Sequence, residues 1–119
     1  MVSAAPRGAL SPARNGRDGL KHLLGERDGW RNYDQVWLPD DDILATQDTL
    51  GAMSAAAQTL ELQLFAPALH EASHYAHYID MRNHSFFARR VGFVEVMLPG
   101  FSHAALERLL PTLELSTTG

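Results

Sequence analysis

Apolar positions recur along this chain with two periods, and each change of period marks an element. Leu20, Leu23 and Leu24 stand at helical spacing with Gly25 placed to end the turn, which predicts a short helix over 18–26. Residues 33–38 alternate loosely and stop at Pro39, the pattern of a strand closed by a turn. Over 43–58, Leu44, Leu50, Met53 and Ala57 fall on one helical face, with Gly51 as a weak point. Asp40, Asp41 and Asp42 precede that helix, where carboxylates cap it and offset the positive end of its dipole. Strict alternation over 60–64 predicts a strand. Pro67 suits a first helical turn and no glycine or proline interrupts 68–81, so the next element is a helix over 66–81. Residues 83–90 form a polar-aromatic connection with some helical content. The apolar run 91–98 reads as a strand ended by Pro99 and Gly100. Ser102 then caps a last helix over 103–110 with Leu106, Leu109 and Leu110 turned inward, and 116–119 fray.

These elements describe an α+β chain. Residues 1–17 hold three arginines and no acid among Ala, Pro, Ser and Gly, and read as a disordered tail before a single domain over 18–119. With 119 residues, 45% of them apolar, there is material for one modest core. A net charge of −4 argues against general nucleic-acid binding, which calls for a basic patch. The absence of cysteine removes disulfides and thiolate metal sites, leaving nitrogen and oxygen ligands. No apolar stretch approaches the ~20 residues of a membrane helix. Residues 1–17 lack the apolar core of a secretory signal, so the expected location is cytoplasmic.

The chemistry concentrates in the predicted helix 66–81. His70, Glu71, Ala72, Ser73 and His74 spell HExxH. On a helix, residues four apart share a face, so His70 and His74 can aim both imidazoles at one ion, with Glu71 beside them to hold and deprotonate a metal-bound water. At about 100° per residue, His70, His74, His77 and Met81 form one stripe, while Leu69, Ala72, Ala76 and Ile79 form another. The histidines therefore lie off the core stripe, as zinc ligands or as a polar surface. A hydrolytic zinc site needs a third protein ligand and an open position for water. Glu95 interrupts the apolar run 91–98, where burying an unpaired carboxylate is costly; its alternative role is a solvent-facing residue on an edge strand. Asp80 lies ten residues after His70, as in HExxHxxGxxH/D proteases, which this segment resembles as HExxHxxHxxD. With His77 in place of that glycine, an unbroken helix turns Asp80 about 80° from the histidine stripe. His84 and Glu107 are further candidates.

Taken together, the chain resembles a minimal zincin metallopeptidase domain. Residues 34–39 followed by 69–76 are most similar to the zincin domain of plasmid and phage antirestriction proteins, with Ala76 where that family has glycine. The resemblance covers residues 33–95. It implies a small zincin-like α+β domain, its HExxH helix packed on a short mixed or antiparallel sheet, with His70 and His74 as ligands and Glu71 as general base. It also implies a zinc-dependent hydrolase of protein or peptide substrates, in which the strand before the HExxH helix pairs with an extended peptide. Two other readings stand beside it. One is a non-catalytic metal-binding or protein-binding module, with homodimerisation open to so small a domain. The other is an acetyltransferase-like fold, since residues 87–96 resemble a segment near that family's C-terminus, without the glycine-rich loop that cradles the coenzyme's pyrophosphate.

Overall fold

The computed structural model describes residues 24–25 and 28–115. The expected tail 1–17 and most of the expected helix 18–26 lie outside them; Leu24 and Gly25 are helical. The described chain is α+β: a three-stranded antiparallel sheet with helices packed on it. The strands are β1 (Gln35–Trp37), β2 (Leu64–Phe65) and β3 (Gly100–Ser102), in the order β1-β3-β2. The helices are α1 (Gln47–Thr59), α2 (His103–Leu109) and the single turn α3 (Thr112–Leu115). Short 3-10 turns span Asp28–Asn32 and Tyr78–Asp80.

Gly100 explains how so small a sheet closes. It is the central-strand residue opposite Trp37 on one side and Phe65 on the other. The two rings meet edge to face at 5.1 Å, an arrangement favoured by aromatic quadrupoles. A methyl group at Gly100 would stand 2.7 Å from Cζ of Phe65, so the ring occupies the space a side chain would need. Strand alternation then divides the core between the two faces. Trp37 and Phe65 pack with Ala57 and Leu98 against α1; Val36 and Phe101 face a second cluster built from Leu24, Trp30 and Leu106. Gln35 is 6% exposed, yet both its amide nitrogen and its amide oxygen are hydrogen-bonded. It donates to the Ser54 carbonyl (3.1 Å) and accepts from the Ser54 hydroxyl (2.9 Å) and the Trp37 indole (3.4 Å). Buried polar groups are tolerated on this condition.

Both ends of α1 differ from the expected 43–58. Thr46, not the aspartate triplet, is the N-cap, its hydroxyl accepting from the Thr49 amide at 3.2 Å. Asp40 to Asp42 sit in the preceding turn. At the other end, the expected strand 60–64 is largely consumed by the helix stop. Glu61 takes a left-handed φ of 52°, its N–H donating to the Gln58 carbonyl, and the Leu62 N–H donates to the Ala57 carbonyl at 2.9 Å. This is a Schellman closure, with Leu62 packed on the core as its hydrophobic contact. Only Leu64 of the alternating run reaches β2, which lies at a sheet edge.

Residues 66–81 are not a helix. The Leu69 N–H donates to the Asp80 carbonyl (2.8 Å) and the Arg82 N–H to the Leu69 carbonyl (2.9 Å), pairing Leu69 with Met81 in a parallel bridge that closes a loop. The helical stripe offered too little to bury, because two of its four members are alanine, and Ser73, His74, Tyr75, His77 and Tyr78 have middling helix propensity. Nor do 91–98 form a strand: the Asp40 N–H donates to the Met97 carbonyl and the Leu38 N–H to that of Pro99, and the central strand begins only at Gly100. The segment 87–96 of the acetyltransferase resemblance is likewise irregular. The last helix matches its expected span and cap, with the Ser102 hydroxyl accepting from the Ala105 amide at 3.1 Å and Leu106 3% exposed, but Leu109, expected inward, faces solvent at 39% exposed while Leu106 and Leu110 pack on the second cluster. No helix among the described residues is long and apolar enough to cross a membrane.

Candidate functional site

The closed loop 69–82 leans over a cleft of about 710 Å³ beside α1. Ile43, Leu50, Met53 and Leu98 give it an apolar wall, and His70, His74, Asp80 and Glu95 also line it. The four residues first in line as metal ligands thus share one cleft. His70, His74 and Asp80 reach it from the folded-back loop and Glu95 from the irregular segment 91–98, rather than from one helical face.

Each donor is held differently. His70 Nδ1 accepts from the Ala72 amide at 3.1 Å, and the Ser73 N–H donates to the His70 carbonyl, so a tight turn replaces the helix start. With Nδ1 accepting, the ring proton resides on Nε2, which lies 3.4 Å from Glu71 Oε2. His74 makes no hydrogen bond among the described residues. Glu95 Oε1 accepts from the next amide, that of Val96, at 2.9 Å. Asp80 Oδ2 is buried without a hydrogen-bond partner, a position that disfavours a bare carboxylate oxygen and suits a cation or a donor from a ligand. His77 is turned away against the Phe93 ring at 4.9 Å. Glu107 is remote in role, accepting from Arg31 at 2.7 Å beside the second core cluster.

Glu71 is the residue whose surroundings depart most from expectation. Its carboxylate takes a fork from Arg82, whose Nη2 lies 2.8 Å from both oxygens and whose Nε lies 3.2 Å from Oε1; His84 Nε2 is 3.1 Å from Oε1. The Arg82 hydrogen bonds, helped by a backbone amide and by His84, hold the Glu71 carboxyl down to about 2. A carboxylate so stabilised is a poor proton acceptor at neutral pH. Arg82 drew no attention in the sequence, because on an unbroken helix a cation eleven residues after Glu71 stands three turns, about 16 Å, along the axis; only the bridge between Leu69 and Met81 brings the two together.

As arranged, the donors fit zinc in kind but not yet in position. No three His, Asp or Glu side chains among the described residues are gathered around one point where an ion would be held. Comparison with family models, curated proteins and solved structures finds no match to this chain, so the zincin resemblance rests on its own residues.

Proposed function

We propose that this chain is a non-catalytic metal-binding module that takes up Zn²⁺ at the loop side of the cleft. His70, His74 and Asp80 are the donors, with Glu95 beside them. One contrast carries this reading: four zinc-type donors line a single cleft, while Glu71, which hydrolysis needs as a free base, is tied to Arg82. Two imidazoles and a carboxylate are a set that zinc accepts, and the partnerless Asp80 Oδ2 gives the site an anionic anchor. Because the donors must be drawn together, uptake is coupled to reordering of 70–80 and stabilises the fold. Equilibrium dialysis should find near one zinc per chain in the native protein and none in His74→Ala, with no cleavage of an unstructured peptide library. Failure to take up zinc, or native cleavage abolished by Glu71→Gln, would overturn the reading.

A second reading is the zinc-dependent metallopeptidase that the HExxH order implies, with a zincin-like helix re-forming around the ion. The position of β2 favours it: this edge strand runs directly into Ala66 and Pro67 on the cleft wall, where an extended peptide could add to the sheet. It requires Glu71 to leave Arg82. On this reading Arg82→Ala gains peptide cleavage that Arg82→Ala combined with Glu71→Gln lacks; equal inactivity of both would exclude it.

A further inference from the structure

Arg82 also lines a second concavity, of about 310 Å³. Its wall includes Tyr78, Arg82, Asn83, His84, Ser85 and Arg89, and no carboxylate. This is unexpected on a chain of net charge −4. We infer that it is an oxyanion site, receiving the phosphate or carboxylate group of a ligand.

Asn83 Oδ1 and the carbonyls of Tyr78, Met81 and Asn83 already accept hydrogen bonds, which leaves the pocket rich in donors. Arg89 is anchored by Nη2 to the carbonyls of Ile79 and Met81 and forms no ion pair among the described residues. Its charge is thus fixed in place by neutral groups and not cancelled, with Nε and Nη1 still able to donate. Asn83 Oδ1 accepts from the Ser85 amide at 2.9 Å, and the Phe86 N–H donates to the Asn83 carbonyl at 3.2 Å. That turn fixes the Asn83 side chain with its NH₂ group unspent and sets the Ser85 hydroxyl on the same wall. Arg82 uses Nε and Nη2 on Glu71, and His84 uses Nε2 there, leaving Arg82 Nη1 as the free donor of this pair. Two guanidinium groups with amide, hydroxyl and phenol donors suit a planar carboxylate or a tetrahedral phosphate, and charge-assisted bonds are the strong ones. Glu71 is the built-in competitor: it occupies, from outside, the charge of Arg82 that a ligand would share.

The site is independent of any metal, and the test keeps it so. The full chain, stripped of divalent metal on a chelating resin, is titrated at constant ionic strength with inorganic phosphate and separately with acetate, while its amide NMR spectrum is followed. Saturable shifts confined to 78–89 are expected, and the tighter of the two ions identifies the ligand's anionic group. Arg89→Gln should weaken binding at least tenfold, whereas Arg108→Gln, the same charge change on α2, should leave it unaltered. Glu71→Gln should tighten it several-fold by releasing Arg82 and His84, a gain that a merely damaged fold does not produce. Shifts that rise linearly without saturating for both ions, equal effects of Arg89→Gln and Arg108→Gln, or no tightening in Glu71→Gln would each overturn the assignment, the last even if Arg89→Gln misfolds.

Discussion

At the scale of single residues, Glu71 and Gly100 carry most of the consequences. Glu71 is 51% exposed on its side chain, so its ion pair with Arg82 contributes little to global stability, but it sets when the carboxylate is charged. Its folded pKa is depressed, so whatever stabilisation the contact gives is present above the usual carboxylate range and lost as pH falls towards 2. Side-chain NMR should find the Glu71 midpoint near 2 in the native chain and raised towards the ordinary carboxylate range in Arg82→Ala, where only the backbone amide and His84 still hold it down. A native midpoint already near 4.5 would mean that the fork does not persist in solution. Gly100 acts through space, not charge. Gly100→Ala pushes a methyl group into the Phe65 ring between β1 and β2, and overpacking of this kind costs roughly 1–3 kcal/mol, readable in the denaturation midpoint.

At the scale of elements, what could be read from the sequence followed how local each signal was. The last helix was legible because the Ser102 cap and the leucines at 106 and 110 lie within a few residues of one another. The alternation over 60–64 was real, but Leu62 spends its place closing α1 and Glu61 turns left-handed to let it. Gly tolerates that φ without the strain a Cβ brings, so Glu61→Gly should stabilise the chain by about 0.5–1 kcal/mol in urea unfolding. Thr46→Ala should destabilise it by about 1 kcal/mol by removing the α1 cap. Should the Glu61 change destabilise by a similar amount, the Schellman geometry is wrong. The HExxH stripe had helical period yet too little apolar surface to hold a helix. The strand β3 was illegible because its warrant, Gly100 between two aromatic rings, joins residues far apart in sequence. Of the candidate site, the residues of the cleft were legible from their chemistry, whereas the pairing of Glu71 with Arg82 arises only from the loop closure.

At the scale of the whole molecule, the core and the candidate site are anchored separately. Both buried clusters draw on residues 24–65 and 98–110, and none of their members lies between 69 and 97. The intervening chain is fastened by the Leu69 and Met81 bridge, the Arg82 fork and the Arg89 contacts with backbone carbonyls. It also exposes Tyr78 (82%) and Phe87 (86%). A region held by a few exposed hydrogen bonds opens at lower free energy than the core. Native-state hydrogen exchange should therefore show amides of 70–96 exchanging by local opening, well before those of α1 and β3, and zinc should slow them selectively. Uniform protection across both regions would contradict this division. Such a loop can rearrange around an ion without disturbing the sheet beneath it.

The most direct test of the metal-module account is a zinc titration followed through the imidazole resonances of the chain's six histidines. The account predicts that one equivalent of zinc moves His70 and His74 together, perturbs the Asp80 carboxyl, and leaves His103 unchanged. Titration without effect on His70 and His74, or perturbation spread evenly over all the histidines, would contradict it.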